Sequence, residues 1–278
     1  MIAGFIRNLL KILRIDPHTF LFKIFYANSK GILDSKLVSL DADTRKLVLE
    51  EDERRHYGDS VLDEPASQNV VRSFSVDRIR FIRECVDAGS VRTVLDIGDS
   101  NGLFVRSLGQ DGISANISDE TTRYLKSKGL EVVKADIEYL PFRTGSIDLV
   151  LSFETLEHVK NPVRALEEAG RICRQSCIIS VPYVEKTYIN RAGNRYGERY
   201  FLHHIFEFCP ADFRNIVKLT PFSVAREMRA VVIDGRVSLF HRIVIGSWDR
   251  FVEKDSFCGC FRAFWLCHLK KQQGAGNA

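Results

Sequence analysis

The side chains able to do chemistry gather in two short stretches. In VLDIGDSNG, residues 94–102, an apolar run ends in an acidic turn bearing glycine. Gly98 and Gly102 let the backbone approach a ligand closely. Asp96 and Asp99 would repel a pyrophosphate but suit a ligand with a cationic amino group. The spacing G-D-S-N-G departs from the dinucleotide fingerprint, and no G-x-x-x-x-G-K-[ST] occurs anywhere. The second stretch, ETLEH, places Glu154, Glu157 and His158 close together. An unperturbed histidine titrates near pH 6.5, so His158 suits a general base.

Ligands of open α/β sheets lie beyond the carboxyl ends of the strands, where the strand order reverses. Both stretches must therefore follow strands. TVLDIG reads as a buried parallel strand, GLFVRSLGQDG as a helix, ISANIS as a strand and ETTRYLKSKG as a helix ending in glycine. EVVKADI, SIDLVLSF and SCIISVPY continue the strands, with PVRALEEAGRIC a helix before the last of them. Upstream, SVDRIRFIRECVDAG predicts a helix capped by Ser75 and closed by Gly89. Downstream, SVAREMRAVVIDG and SLFHRIVIGSW flank Asp234-Gly235, a hairpin signal. The expected fold is α/β: a doubly wound, mostly parallel seven-stranded sheet ending in an antiparallel hairpin, with an N-terminal helical extension. The expected divisions are residues 1–74 as that extension or lid, 75–250 as the ligand-binding domain, and 251–278 as an aromatic and cysteine-bearing segment with a polar tail.

Composition fits a globular chain: 278 residues, 45% hydrophobic, 27% charged, with a formal charge of +4. That charge permits an anionic partner without demanding one. Seven cysteines and no leader pattern suggest reduced thiols in a cytoplasmic protein. Cys258, Cys260, Cys267 and His268 cluster but form no CxxC pair, so buried free cysteines are expected there rather than zinc. No apolar run of about eighteen residues occurs, so no bilayer span is expected. Residues 1–26 alternate Ile2, Phe5, Ile6, Leu9, Leu10 and Leu13 with Arg7, Lys11 and Arg14. Such a helix covers a core or cleft, or makes peripheral contact with an anionic membrane.

A ligand with a protonated amine, a sulfonium and no phosphate is S-adenosylmethionine, and the turn suits it. VLDIGDSNG also resembles the first motif of class I (Rossmann-like) S-adenosylmethionine-dependent methyltransferases, and the later strands match in order from about Val91 to Trp248. The resemblance implies a cofactor held by Asp96, Gly98, Asn101, Gly102, Asn116, Asp136, Ile137 and Phe153. Asp136 would meet the adenine amino group, Ile137 its ring, and Asn116 the ribose. Two positions depart from the pattern. Ser100 replaces the middle glycine, and Asn116 replaces the usual acid, which removes charge-assisted bidentate bonding. The resemblance also places Glu154, Glu157 and His158 facing the methyl donor.

Two kinds of catalyst follow, with His158 and Glu154 as the catalytic candidates. His158 acts alone as base, or a Mg²⁺ or Mn²⁺ ion is held by Glu154, Glu157, His158 and His204. The latter rests on likeness of E-x-x-E-H to ubiquinone-pathway O-methyltransferases and small-RNA 2′-O-methyltransferases, with HIFEF supplying His204. The loop Tyr188–His204 interleaves Arg191, Arg195 and Arg199 with Tyr196 and Tyr200, which suits acceptor contact. The expected activity is O-methylation of a small or lipid-like metabolite. The alternatives are ribose 2′-O-methylation of RNA, which the mild charge disfavours, and a membrane-surface protein with a non-catalytic core.

Overall fold

The computed structural model describes residues 29–51, 65–109, 111–184, 186–189, 204–230 and 264–272. Helical residues 29–37 form α1, Ala42–Glu50 form α2 and Pro65–Cys85 form α3. The core unit then runs β1 (Thr93–Ile97), α4 (Leu103–Leu108), β2 (Asp111–Asn116), α5 (Asp119–Ser127), β3 (Glu131–Lys134) and β4 (Ile147–Phe153). It continues with α6 (Pro162–Ile172), β5 (Cys173–Pro182), β6 (Tyr188–Ile189), β7 (Phe206–Glu207), α7 (Pro210–Val217), β8 (Phe222–Ala230) and β9 (Phe264–Lys271).

Seven strands form one sheet in the order β3-β2-β1-β4-β5-β9-β8, while β6 and β7 make a separate two-stranded ribbon. β1 to β5 pair in parallel, and β9 runs antiparallel to both β5 and β8. The order reverses at β1, whose neighbours are β2 and β4, so the crevice for a ligand opens beyond these three carboxyl ends. All seven residues of β4 are buried, as a central strand covered on both faces requires.

Alternate residues of the strands feed two cores. Leu95, Ile97 and Val150 join Ala165, Leu166 and Phe213 of α6 and α7 on one face. Val94, Leu149, Leu151 and Phe153 join Leu33 of α1, Ile79 and Ile82 of α3 and Leu103 of α4 on the other. Full burial of such a side chain contributes roughly 1.5–3 kcal/mol as an upper estimate. Asp96 lies between Leu95 and Ile97 along β1, so its side chain enters the face covered by α3 and α4.

Two expectations are corrected. Ser75 caps nothing: α3 begins at Pro65, ten residues earlier, and the Ser75 hydroxyl donates to Val71 O (3.4 Å) inside the helix. Val70, Val71 and Phe74 extend the apolar face upstream, and the buried Lys36–Asp77 ion pair (2.5 Å) ties α1 to α3. The antiparallel partner described for β8 also lies further along the chain than the hairpin arm expected. It is Phe264–Lys271, in register from Phe222↔Lys271 to Ala230↔Phe264. These are the residues assigned above to a separate terminal segment, and six of their eight side chains are buried within the sheet. Asp234-Gly235, the run at 238–248 and residues 1–26 lie outside the described residues.

Cys267 is a buried free thiol, as expected, and His268 meets Ser176 Oγ at 3.0 Å rather than a metal set. Cys258 and Cys260 lie outside the described residues. Among the described residues no helix is long and apolar enough to cross a membrane.

Candidate active site

The turn after β1 is built for a tight path. Gly98 has φ +82°, and a β-carbon there would sit 2.1 Å from Thr155 Oγ1. Gly102 has φ +77° and no room beside Leu130. Ser100 needs no glycine, because Glu154 is the sole non-glycine residue with positive φ among the described residues. The middle position of the motif therefore has an ordinary backbone, and a serine costs nothing there in conformation.

The two acids of the turn play different parts. Asp99 is buried and holds the loop together: Oδ1 accepts from Asn101 N (3.0 Å) and Gly102 N (2.7 Å), and Oδ2 accepts from Ser114 Oγ (2.5 Å). Burial raises its pKa, and these donors partly oppose the rise. Both of its oxygens are thus engaged within the loop, although Asp99 also lines the crevice. Asp96 is 2% exposed, and its Oδ2 finds no hydrogen-bond partner among the described residues. Burial first, then the Asp99 carboxylate, pushes its pKa well above the usual range, while Arg78 pulls it down.

Asp96, Gly98, Asp99, Ser100, Asn101, Phe104 and Phe153 line one crevice, and α3 contributes Ser75 and Arg78. Arg78 is 3% exposed, its guanidinium 3.3 Å from Glu154 and stacked 4.9 Å from the Phe264 ring centre. Asn101 also caps α4, its Oδ1 accepting from Leu103 N (3.1 Å). Asn116 is engaged at both ends of its amide: Nδ2 donates to Asp99 O (2.8 Å) and Oδ1 accepts from Ser118 N (2.9 Å). After β3, Asp136 is exposed with Oδ1 accepting from Glu138 N (2.9 Å), and Ile137 is 7% exposed in the core. Arg171 fastens this segment by donating to Leu140 O (2.8 Å) and Phe142 O (2.7 Å).

Directly after the crevice residue Phe153, the chain turns through Glu154 at φ +49°. A non-glycine residue there is held at a cost of order 1–3 kcal/mol, a cost typical of functional sites. Glu154 Oε1 accepts from Ser180 Oγ (2.7 Å) and faces Arg78. Glu157 is wholly buried, and neither of its oxygens bonds beyond the Glu154–Glu157 pair among the described residues. Burial and then the Glu154 charge push its pKa well above the usual range. Burial also raises Glu154, against the pull of Arg78.

Glu157, His158 and His204 bring potential ligand atoms within 4.8 Å of one another. His158 is exposed and its ring centre lies 4.8 Å from that of His204. His204 Nδ1 lies 3.2 Å from Glu207 Oε1, an acceptor when ionised, a pairing that suits the Nδ1–H tautomer. Glu154 is not one of these three: its Oε1 faces Arg78 and Ser180, while its side chain also meets Glu157. Sequence reasoning gave no site role to Arg78, Ser75, Ser114 or Glu207. Only E at 207 within HIFEF carried a signal; the helix bearing Arg78 was placed in the ligand-binding domain but carries no motif that marks its arginine. Of the arginine- and tyrosine-bearing loop, residues 190–203 lie outside the described residues.

Residues 95–181 match the family described as methyltransferase domain. Those residues carry a methyltransferase domain. The match runs from the turn acids into β5 and so contains the carboxylate pair and the crevice lining other than Ser75 and Arg78. Among relatives, the ubiquinone biosynthesis O-methyltransferase of Caulobacter vibrioides is 24% identical over 203 residues, covering 66% of this chain and 80% of that one. An uncharacterised methyltransferase of Mycobacterium sp. (strain JLS) is 31% identical over 97 residues, 33% of this chain and 38% of its own. In structure, the YcgJ protein of Bacillus subtilis superposes with TM-score 0.52 at 14% identity, over 71% of this chain and 99% of that one. Magnesium protoporphyrin IX methyltransferase of Synechocystis, with bound S-adenosylmethionine, gives TM-score 0.51 at 15% identity, over 79% and 89%. The structural likenesses bear on the fold alone.

A methyltransferase domain of this kind implies S-adenosylmethionine as the methyl donor. The residues fit it: Asp96 presents a buried oxygen without a partner to a crevice that holds no phosphate-binding loop.

Proposed function

We propose that this methyltransferase methylates an oxygen of a small or lipid-like acceptor. The observation that carries the reading is the cluster just after the crevice residue Phe153 in the chain, in which exposed His158 sits beside His204 and buried Glu157. A hydroxyl is a poor nucleophile until its proton leaves, so a base there serves oxygen better than an already nucleophilic sulfur. The similarity to a ubiquinone-pathway O-methyltransferase supports the same choice.

Bound S-adenosylmethionine supplies a methyl group on a sulfonium, and the departing sulfur takes the bonding pair. In this reading Asp96 holds the donor's amino group, Phe153 walls the crevice and Gly98 lets the backbone come close. His158 takes the acceptor proton as the methyl group arrives, and Glu207 keeps His204 in the Nδ1–H form beside it. Asp136 and Ile137 border the adenine end.

A second reading has its own observation, the three ligand types at Glu157, His158 and His204. Two imidazoles and one carboxylate suit Mn²⁺ better than Mg²⁺, and such an ion would supply charge beside the acceptor oxygen. Titrating the protein with Mn²⁺ alone, followed by electron paramagnetic resonance, separates the two. Loss of the free-ion signal that His204→Ala abolishes favours the metal.

The test of function uses labelled methyl transfer from S-adenosylmethionine to an alkyl-substituted dihydroxybenzene. Transfer should yield a base-stable ether, and His158→Ala should lower kcat about 10²- to 10⁴-fold. Label appearing on carbon or nitrogen instead, or full activity in the variant, overturns the assignment.

A further inference from the structure

We infer that this enzyme holds its donor by the amino-acid end rather than by the ribose. The inference rests on the reading of the crevice as the S-adenosylmethionine site and goes beyond it by saying which part of the ligand provides the affinity. At the carboxyl end of β2 the polar side chain is Asn116, and it is committed to the loop. One of its N–H groups and one of its lone pairs already bond Asp99 O and Ser118 N. The fixed amide plane leaves a neutral bond at most for a ribose hydroxyl. The nearest carboxylate, Asp99, has accepted from two backbone N–H groups and Ser114, so it cannot substitute.

The crevice lining offers the opposite. Asp96, with an oxygen lacking any partner among the described residues, and Arg78, from α3, line the same pocket and are both nearly fully buried. A carboxylate and a guanidinium together match a zwitterion: Asp96 for the α-ammonium and Arg78 for the α-carboxylate. Charge-assisted bonds out of water exceed a neutral bond to a hydroxyl several-fold in energy. Arg78 has to shift its charge away from Glu154, 3.3 Å distant, to meet that carboxylate. Donor loading and the state of the Glu154–Glu157 pair are therefore linked through one guanidinium.

The experiment is calorimetric titration of the full-length protein with three ligands. They are S-adenosylhomocysteine, its 2′-deoxyribose analogue, and 5′-methylthioadenosine, which lacks the amino-acid end. Loss of the amino-acid end should weaken binding by about 100-fold or more, and loss of the ribose hydroxyl by less than about tenfold. Arg78→Met should weaken S-adenosylhomocysteine by about 10- to 100-fold and leave 5′-methylthioadenosine within about twofold. A merely structural Arg78 would weaken both ligands alike, and Arg78→Lys, keeping the charge, should recover part of the loss. If the deoxy analogue loses as much as methylthioadenosine, or more, the inference is overturned while the cofactor assignment stands. If S-adenosylhomocysteine does not bind at all, both are overturned. The comparison of ligands on the unaltered protein needs no variant to fold.

Discussion

Replacing Asp96 by Asn should affect stability and binding in opposite directions. Without ligand, the Asp96 carboxyl is buried, lies near Asp99 and has an oxygen with no partner, so its folded-state pKa lies well above the ordinary 3.8. A raised acid pKa contributes stability that is fully present below the unfolded value. That contribution is lost as pH rises through the folded value. At neutral pH the unliganded protein therefore carries the cost of this group, and Asp96→Asn, which never ionises, should melt at higher temperature. Donor binding requires the opposite state, since an ammonium needs a carboxylate. Below the folded pKa of Asp96, binding must expel one proton, and affinity should rise by up to about tenfold per pH unit, the full linkage of one group. The rise should end near roughly pH 8, where a free α-amino group loses its own proton. Calorimetry in buffers of different ionisation enthalpy reads both the affinity and the released proton. Asp96→Asn should bind weakly, with neither the slope nor the proton. A variant that melts lower and keeps the slope would refute this account of the turn.

Three further outcomes follow from particular contacts. Gly98→Ala puts a side chain at φ +82° and against Thr155 Oγ1, so a loss of at least about 2 kcal/mol in chemical denaturation and about tenfold in donor affinity is expected. Arg171→Ala leaves Leu140 O and Phe142 O without their donor and loosens the segment bearing Asp136 and Ile137. The expected cost is about 2 kcal/mol by urea titration, with weaker binding of adenosine-containing ligands. Lys36→Met removes the cation paired with Asp77, and a melting experiment should show a loss of about 3 kcal/mol that Lys36→Arg largely restores.

The parallel half of the fold was legible because β1, β4 and β5 are largely buried strands whose apolar runs, with the helices between them, leave a periodic trace. Phe153, Gly98 and Gly102 could be placed from spacing for the same reason. What failed was the assignment of segments that are local in sequence to partners that are not. β9 reads as an aromatic, cysteine-rich tail, and only its pairing between β5 and β8 shows it to be sheet. The hairpin signal at Asp234-Gly235 offered a nearer partner, and short separation is a prior that tertiary pairing overrides. Ser75 misled for a related reason. Its type suits a cap, but the buried face of α3 continues upstream through Phe74, Val71 and Val70.

The larger consequence of that helix concerns chemistry. Polar residues read from sequence were assigned to the ligand by motif position, which treats every acid of the turn as facing outward. The structure separates them by hydrogen-bond accounting. Asp99 and Asn116 have local partners and so maintain the loop's shape, whereas an oxygen of Asp96 lacks one among the described residues. A buried oxygen without a partner is costly in the empty protein, and the cost is recovered only when a donor arrives. No motif would have supplied Arg78, because its role depends on α3 crossing the end of β1 some twenty residues away in sequence. The helix ahead of β1 therefore contributes a charge to the crevice lining. Truncating the chain before β1 should remove the guanidinium together with the core contacts of Ile79 and Ile82, so the methyltransferase family match at residues 95–181 does not by itself enclose a complete binding site.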